Sequence, residues 1–309
     1  MLLKIIKRLE LQLIKTLYTK YGFYPESIIL IKSYPNFVYK VNYKNSKFIL
    51  KILKKDQINI ERMNFIEFIQ KSIEIPGNIL NINNKIYSEL YFDGDELFFY
   101  LQHHINGTDI NYENNNNAIT YGRELALIHL NSRSYKTIYA EVDILKECIK
   151  ELKDILDILR NINEKAYDSF RSILFLLKEK KEEIYYENLI FIHGDTHGGN
   201  AILAKKIYFI DWDESKLYDS YYDISCFYWM CITLDKINLW NLFCSGYQEN
   251  YPINYIQNKN KILKMSILKD LKVFKYYLEY SQMIGIDLIK DIYIKKRYNF
   301  IKNLINQII

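Results

Sequence analysis

The chain has 309 residues, of which 49% are hydrophobic and 26% charged, and a net charge of +5. That composition excludes a disordered chain and suits either one large domain or two lobes. Basic residues are spread along the chain rather than blocked, which argues against a nucleic-acid partner, and no apolar run approaches the roughly 18 residues of a membrane span.

In chain order, Leu2, Ile5, Ile6, Leu9, Leu13, Ile14 and Leu17 recur at helical spacing among Lys4, Lys7, Arg8 and Lys15. One apolar face of this kind predicts packing on a core rather than adsorption to a membrane. Phe37 to Tyr43 and Lys47 to Leu53 read as a hairpin turning at Lys44, Asn45 and Ser46. Residues 57 to 72 have helical character, stopped by Ile75, Pro76 and Gly77. Two further strands, Lys85 to Phe92 and Leu97 to Gln102, flank Asp93-Gly94-Asp95, a strong hairpin signal.

From Asn106-Gly107 the pattern becomes helical. It runs through Leu130, continues in amphipathic stretches from Val142 to Glu183, and resumes from about Asp223 to the end. The expected class is α+β, with a small antiparallel β-sheet lobe over residues 1–104 and a larger, mainly helical lobe over 105–309. The four cysteines, Cys148, Cys226, Cys231 and Cys244, show neither a CxxC pair nor metal-ligand spacing, so a reducing cytoplasm is the expected compartment.

One segment interrupts the helical half: Ile190 to Asp213, IFIHGDTHGGNAILAKKIYFIDWD. His-x-Asp, an Asn five residues after the Asp, and a second Asp closing the next hairpin match the layout of a phosphoryl-transfer loop. That chemistry needs one carboxylate at the attacking hydroxyl and oxygen ligands for magnesium. Asp195 is the candidate for the first role, and Asn200 and Asp211 for the second. His193 reads as a loop-orienting side chain. A competing reading takes His193, Asp195 and His197 as an HxDxH zinc site, which leaves Asn200 and Asp211 unused.

A phosphotransfer site also needs a lysine on a strand of the small lobe and a carboxylate on the neighbouring helix. Lys51, in FILKIL, shares a strand face with Ile49 and Leu53. Helical spacing places Glu61 on the stripe of Ile58, Phe65 and Phe68, with Glu67 as the fallback. The place of a phosphate lid, Ile31 to Tyr39, holds no glycine, which leaves backbone amides around Ser33 to Asn36 to cap a phosphate. An adenine edge would meet the backbone at His103, His104 and Ile105. His129 reads as a satisfied core histidine, and Asp223 as a carboxylate favouring a helix N-terminus.

His193-Gly194-Asp195, Asn200, Asp211-Trp212-Asp213 and Tyr222-Asp223-Ile224 together resemble the aminoglycoside phosphotransferase and choline kinase-like superfamily, which includes spore-coat kinase-like proteins. The resemblance runs over nearly the full length. It implies a bilobal protein-kinase-like fold and transfer of phosphate from ATP or GTP, with magnesium, to a hydroxyl of an aminoglycoside, choline, homoserine or sugar-like molecule. The rival expectation is a catalytically weak kinase-like structural or binding protein, as in a spore coat, and the lid without glycine motivates it.

Overall fold

Leu9, Leu13 and Leu17 stand one helical turn apart on α1 (Leu2–Tyr21), and all three are buried, so the N-terminal amphipathic pattern is a packing face. The computed structural model describes residues 2–33, 36–55, 59–180, 185–281 and 290–308. It divides into two compact units, Met1–Gly107 and Thr108–Ile309.

In the first unit α1 is followed by β1 (Ser27–Lys32), β2 (Phe37–Tyr43), β3 (Ser46–Lys54), α2 (Ile60–Ser72), β4 (Asn78–Ile79), β5 (Tyr87–Phe92) and β6 (Asp95–His103). The strands form one antiparallel sheet in the order β1-β2-β3-β6-β4, with β5 also on β6. Both expected hairpins are present. The second turns through Asp93 and Gly94, each at positive φ, and pairs Phe92 with Asp95. Alternation along β3 sends Phe48, Leu50 and Ile52 into one core with the α1 leucines, Tyr39, Val41, Phe99 and Leu101. The sequence does not mark β1 because it is an edge strand with Ile29 and Ile31 exposed, so no polar alternation signals it.

The second unit contains β7 (Thr108–Asp109), α3 (Asn115–Tyr135), β8 (Thr137–Val142), α4 (Ile144–Ile162), α5 (Glu164–Glu179), β9 (Tyr185–Ile192), β10 (Ala201–Leu203) and β11 (Ile207–Phe209). Then come β12 (Lys216–Tyr218), α6 (Tyr221–Thr233), α7 (Asn238–Gln248), α8 (Lys259–Glu279) and α9 (Asp291–Gln307). The amphipathic stretches expected from Val142 to Glu183 are two helices, α4 and α5, and the strand β8 before them was not expected. Asn163 ends α4 and caps α5, its side chain accepting the Ala166 amide at 3.0 Å, and an extended backbone at that residue cannot continue a helix. Residues 181–184 lie outside the described set.

Two three-stranded antiparallel sheets, β12-β9-β8 and β11-β10-β7, present the loop between β9 and β10. Helices α4, α5, α6, α8 and α9 supply most of the core behind them. Against this frame α3 and α7 touch backbone to backbone. A Cβ on Gly122 would stand 2.1 Å from the Phe243 carbonyl oxygen, and one on Gly246 2.0 Å from that of Ile119, so both positions require glycine. The four cysteines are free and buried, and among the described residues no helix is long and apolar enough to cross a membrane.

Candidate active site

Strand β9 delivers the chain to a loop whose geometry its own side chains dictate. His193 Nε2 lies 3.0 Å from the Ile210 carbonyl, so it is the protonated nitrogen, and Nδ1 accepts the Asp195 amide at 3.3 Å. Burial holds this imidazole below its ordinary pKa, consistent with a neutral ring that donates from one nitrogen and accepts at the other. The ring packs on Trp212 at 4.5 Å between centroids, and Trp212 Nε1 donates to the Phe209 carbonyl at 3.0 Å. His197 uses Nδ1 to accept the Gly199 amide at 3.0 Å, which starts the short 3-10 turn Gly198–Asn200.

With both nitrogens of His193 engaged inside the loop, the HxDxH zinc reading fails. Among the described residues no three His, Cys, Asp or Glu side chains gather to hold a metal.

Asp195 and Asn200 are brought together as their spacing predicts. Asn200 Nδ2 donates to the Asp195 carbonyl at 3.0 Å and to its Oδ2 at 3.1 Å. The Asn200 carbonyl accepts the Ile210 amide at 2.9 Å, which ties the residue before Asp211 to the same turn. Asp211 itself is left-handed, at φ 61° and ψ 66°. Aspartate tolerates that region better than most residues, yet it costs on the order of 1 kcal/mol, strain of a kind found where geometry serves a site.

Asp223 organises this loop from outside it. In the first turn of α6 and fully buried, its Oδ2 accepts the His193 amide at 2.8 Å and its Oδ1 the Gly194 amide at 2.8 Å. His129 of α3 donates a third hydrogen bond from Nε2 at 3.0 Å, while its Nδ1 accepts the Tyr247 hydroxyl of α7 at 2.6 Å. The Thr196 hydroxyl donates to the Asp223 carbonyl at 2.6 Å, and Tyr121 OH to the Thr196 carbonyl at 2.8 Å. His129 is therefore the satisfied core histidine expected. Asp223 is more than the dipole partner expected: its side chain turns away from its own helix to hold the loop that follows β9.

Gly194 adds a steric condition. It sits at φ 85°, and a Cβ there would lie 2.1 Å from the Glu214 carbonyl oxygen. Gly194→Ala is expected to destabilise the protein by roughly 2–5 kcal/mol, from left-handed strain plus overpacking. Thermal melts check this, and an unchanged melting temperature would mean the loop does not hold this conformation.

One residue at the site has no counterpart in the sequence reading. Lys269, buried on α8, forms an ion pair with Asp195 Oδ1. Burial alone would raise the Asp195 carboxyl, but the Lys269 ammonium, with His197 and His193 beside it, outweighs burial and the group ends below its ordinary range. Burial likewise opposes the Lys269 charge, and Asp195 more than compensates. A lysine 74 positions away, in a chain with 42 Lys and Arg residues, carries no local signal.

In the first unit Lys51 is buried on β3 between Val38 of β2 and Tyr100 of β6. Its face also carries Leu53, again buried, while Phe48, Leu50 and Ile52 point into the opposite core, as the alternation predicts. Glu61 lies in the first turn of α2 and is exposed. The buried face of α2 is set instead by Met63, Phe65, Ile66, Ile69 and Gln70, so the expected inward direction of Glu61 is corrected, and Ile58 lies outside the described residues. The fallback Glu67 is paired with Lys71 at 2.5 Å.

Ser33, exposed, and Asn36, half-buried, flank Tyr34 and Pro35, which lie outside the described set. The amides of His103 and His104 donate to the Gly77 and Lys47 carbonyls at 3.2 and 3.0 Å, and Ile105 follows, half-buried.

The phosphotransferase enzyme family model matches residues 32–257, a span that takes in Lys51, the loop, Asp211 and Asp223. The chain belongs to that family. A search among curated proteins finds no match. Among solved structures this phosphotransferase is similar to an amicoumacin kinase, hAmiN, in complex with AMP-PNP, Ca2+ and Ami: TM-score 0.72, 16% identity, 96% of this chain and 93% of that one covered. It is also similar to spectinomycin phosphotransferase APH(9)-Ia in complex with ADP and spectinomycin, with TM-score 0.63, 15% identity and 96% of each chain covered. For the choline kinase LicA from Streptococcus pneumoniae the values are 0.63 and 17%, over 97% of this chain and 99% of that one. At such identities the likeness shows the fold, which is the protein-kinase-like one that the sequence motifs imply.

Proposed function

We propose that this phosphotransferase is a magnesium-dependent kinase that moves the γ-phosphoryl group of ATP or GTP to a hydroxyl of a small molecule of the aminoglycoside, choline, homoserine or sugar-like class. The observation that carries the reading is the Asp195–Asn200 hydrogen bond on a loop fixed by Asp223, with Asp211 held left-handed beside it.

Asp195 accepts the proton of the acceptor hydroxyl as its oxygen forms a bond to the γ-phosphorus and the bridging bond to the β-phosphate breaks. Because the transition state is loose, the carboxylate need not be strongly basic, and a base kept ionised by Lys269 suffices to orient the hydroxyl. Lys269 is thus a positioning residue. Asn200, whose amide nitrogen is engaged with Asp195, has its amide oxygen left for a cation, and with the Asp211 carboxylate it makes the hard-oxygen donor set that magnesium takes alongside phosphates. When bound, magnesium would neutralise charge on the β- and γ-phosphates.

Lys51 is the candidate cation for the phosphates and Glu61 its candidate helix carboxylate, since Glu67 is taken by Lys71. Ser33 and Asn36 are the candidates at the phosphate turn. At the connection His103, His104 and Ile105, two amides are already used in the sheet, so a base would meet the carbonyls of His103 and His104 and the Ile105 amide. Lys51→Met is expected to weaken nucleotide binding roughly ten- to a hundred-fold, the loss of a charge-assisted contact of about 1.5–3 kcal/mol. Calorimetric titration with AMP-PNP and magnesium measures it, and unchanged affinity would remove Lys51 from the site.

The second reading, a catalytically weak structural or binding protein, draws on the glycine-free segment Ile31 to Tyr39. Thermal melting with ATP and magnesium separates the two, because a ligand that binds the native state must raise its stability. The kinase reading predicts a rise.

A further inference from the structure

His197 spends only one of its ring nitrogens on the loop. Nδ1 accepts the Gly199 amide at 3.0 Å, so the proton of the neutral ring sits on Nε2. Nε2 lies 3.6 Å from Asp195 Oδ2, too far for a hydrogen bond, and that oxygen already accepts Asn200 Nδ2 at 3.1 Å. Among the described residues Nε2 therefore carries a proton with no hydrogen-bond acceptor, on a side chain that is 36% exposed. Burial holds the ring below its ordinary pKa against the pull of Asp195, which keeps it neutral and keeps Nε2 a donor.

The turn around this ring holds it in place. The His197 amide donates to the Asp195 carbonyl at 2.9 Å, and the His197 carbonyl accepts the Asn200 amide at 2.9 Å. Gly199 leaves the ring its seat, because a Cβ there would stand 2.8 Å from Cε1 and 3.2 Å from Nδ1. A Cβ on Gly198 would stand 2.6 Å from the Tyr112 hydroxyl, so the turn is closed on that side as well. A donor fixed in this way needs little reorganisation when charge develops beside it.

In the kinase reading the acceptor hydroxyl donates to Asp195 at roughly 2.6–3.2 Å, with the γ-phosphorus about 3–3.5 Å beyond. A donor 3.6 Å from that carboxylate is within reach of two groups, the acceptor oxygen and an equatorial oxygen of the phosphoryl group. Donation to the acceptor oxygen would tie up the lone pair that attacks phosphorus. Donation to the phosphoryl oxygen instead stabilises the charge that a loose transition state spreads over its equatorial oxygens.

We propose that His197 is a catalytic residue beside Asp195, donating a hydrogen bond from Nε2 to an equatorial oxygen of the transferred phosphoryl group. This rests on the kinase reading. No proton leaves Nε2 in the step, and with Nδ1 occupied the ring does not compete with Asp195 for the acceptor proton.

The test compares two nucleotide probes on the full chain with magnesium: AMP-PNP, which mimics the ground state, and ADP with aluminium fluoride, which mimics the phosphoryl group in transfer. The acceptor need not be known, since water can take its place. His197→Leu should weaken binding of the aluminium fluoride complex at least tenfold and leave AMP-PNP affinity within about twofold, because the contact is stronger in the transition state. ATP hydrolysis should fall about 10- to 100-fold with KM for ATP unchanged, less than for a fully enclosed donor because this one is partly in water. His197→Gln, whose amide nitrogen can reach the place of Nε2, should keep most of both. Gly199→Ala crowds the ring and should also weaken the aluminium fluoride complex, and adding it to His197→Leu should bring no further loss. Melting temperatures should stay near that of wild type, because the exposed Gly199 amide takes water in place of Nδ1.

The proposal is overturned if His197→Leu binds the aluminium fluoride complex as wild type does, if it loses AMP-PNP to the same extent, if His197→Gln is no better than His197→Leu, or if the losses from His197→Leu and Gly199→Ala add in full. Wild-type protein that binds neither probe overturns the kinase reading itself, and the role of His197 with it.

Discussion

Replacing Asp195 by Ala is expected to lower turnover by about 10² to 10⁴ while leaving nucleotide affinity nearly unchanged, the pattern for loss of a positioned base. The same change should cost stability, because Lys269 would remain buried on α8 without its carboxylate. Removing one member of a buried ion pair typically costs several kcal/mol, here about 3 because Asp195 is only half-buried. Adding Lys269→Met to Asp195→Ala should therefore restore most of the stability and none of the turnover. Denaturant melts and steady-state kinetics on the two variants measure both quantities. Full activity in Asp195→Ala would remove the carboxylate from its role, and no recovery in the double variant would mean that Lys269 is not held there by charge.

Asp223→Ala should produce the other large effect, in stability and activity together. One carboxylate receives the His193 amide, the Gly194 amide and His129 Nε2, and all of these groups are buried or half-buried. Deleting it leaves three donors without an acceptor, each costing roughly 1–3 kcal/mol, so a total on the order of 4 kcal/mol is expected even with relaxation. Turnover should fall with it, since Asp195 is two residues from His193 and loses its fixed direction. Asp223→Asn keeps one acceptor oxygen and should fall between wild type and Ala. Equal melting temperatures for wild type and Asp223→Ala would contradict the network.

The legible and illegible parts of this molecule divide along physical lines. Asp195 and Asn200 could be paired from spacing because one short loop joins them, and the two hairpins of the first unit could be read because alternation and Asp93-Gly94 act locally. Edge strands such as β1 and β8 escaped because their exposed apolar residues carry no burial pattern. Asp223 looked like a helix-terminal charge, and only the tertiary fold shows its carboxylate turned to a loop 29 and 30 residues earlier. Lys269 was invisible for the same reason, with abundance of lysine added. The direction of Glu61 depends on which side of α2 packs, and that is decided by Met63, Phe65, Ile66 and Ile69, with Glu61 exposed and Phe68 only half-buried.

The central claim is that Asp195 serves phosphoryl transfer to a hydroxyl, and the most direct measurement is ADP release from ATP and magnesium across a panel of small hydroxyl compounds, with mass analysis of each compound afterwards. Wild type should release ADP in an acceptor-dependent way, the acceptor should gain one phosphoryl group, and Asp195→Ala should do neither at a comparable rate. Acceptor-dependent transfer that persists unchanged in Asp195→Ala, or saturable nucleotide binding with no transfer to any hydroxyl compound, would contradict it.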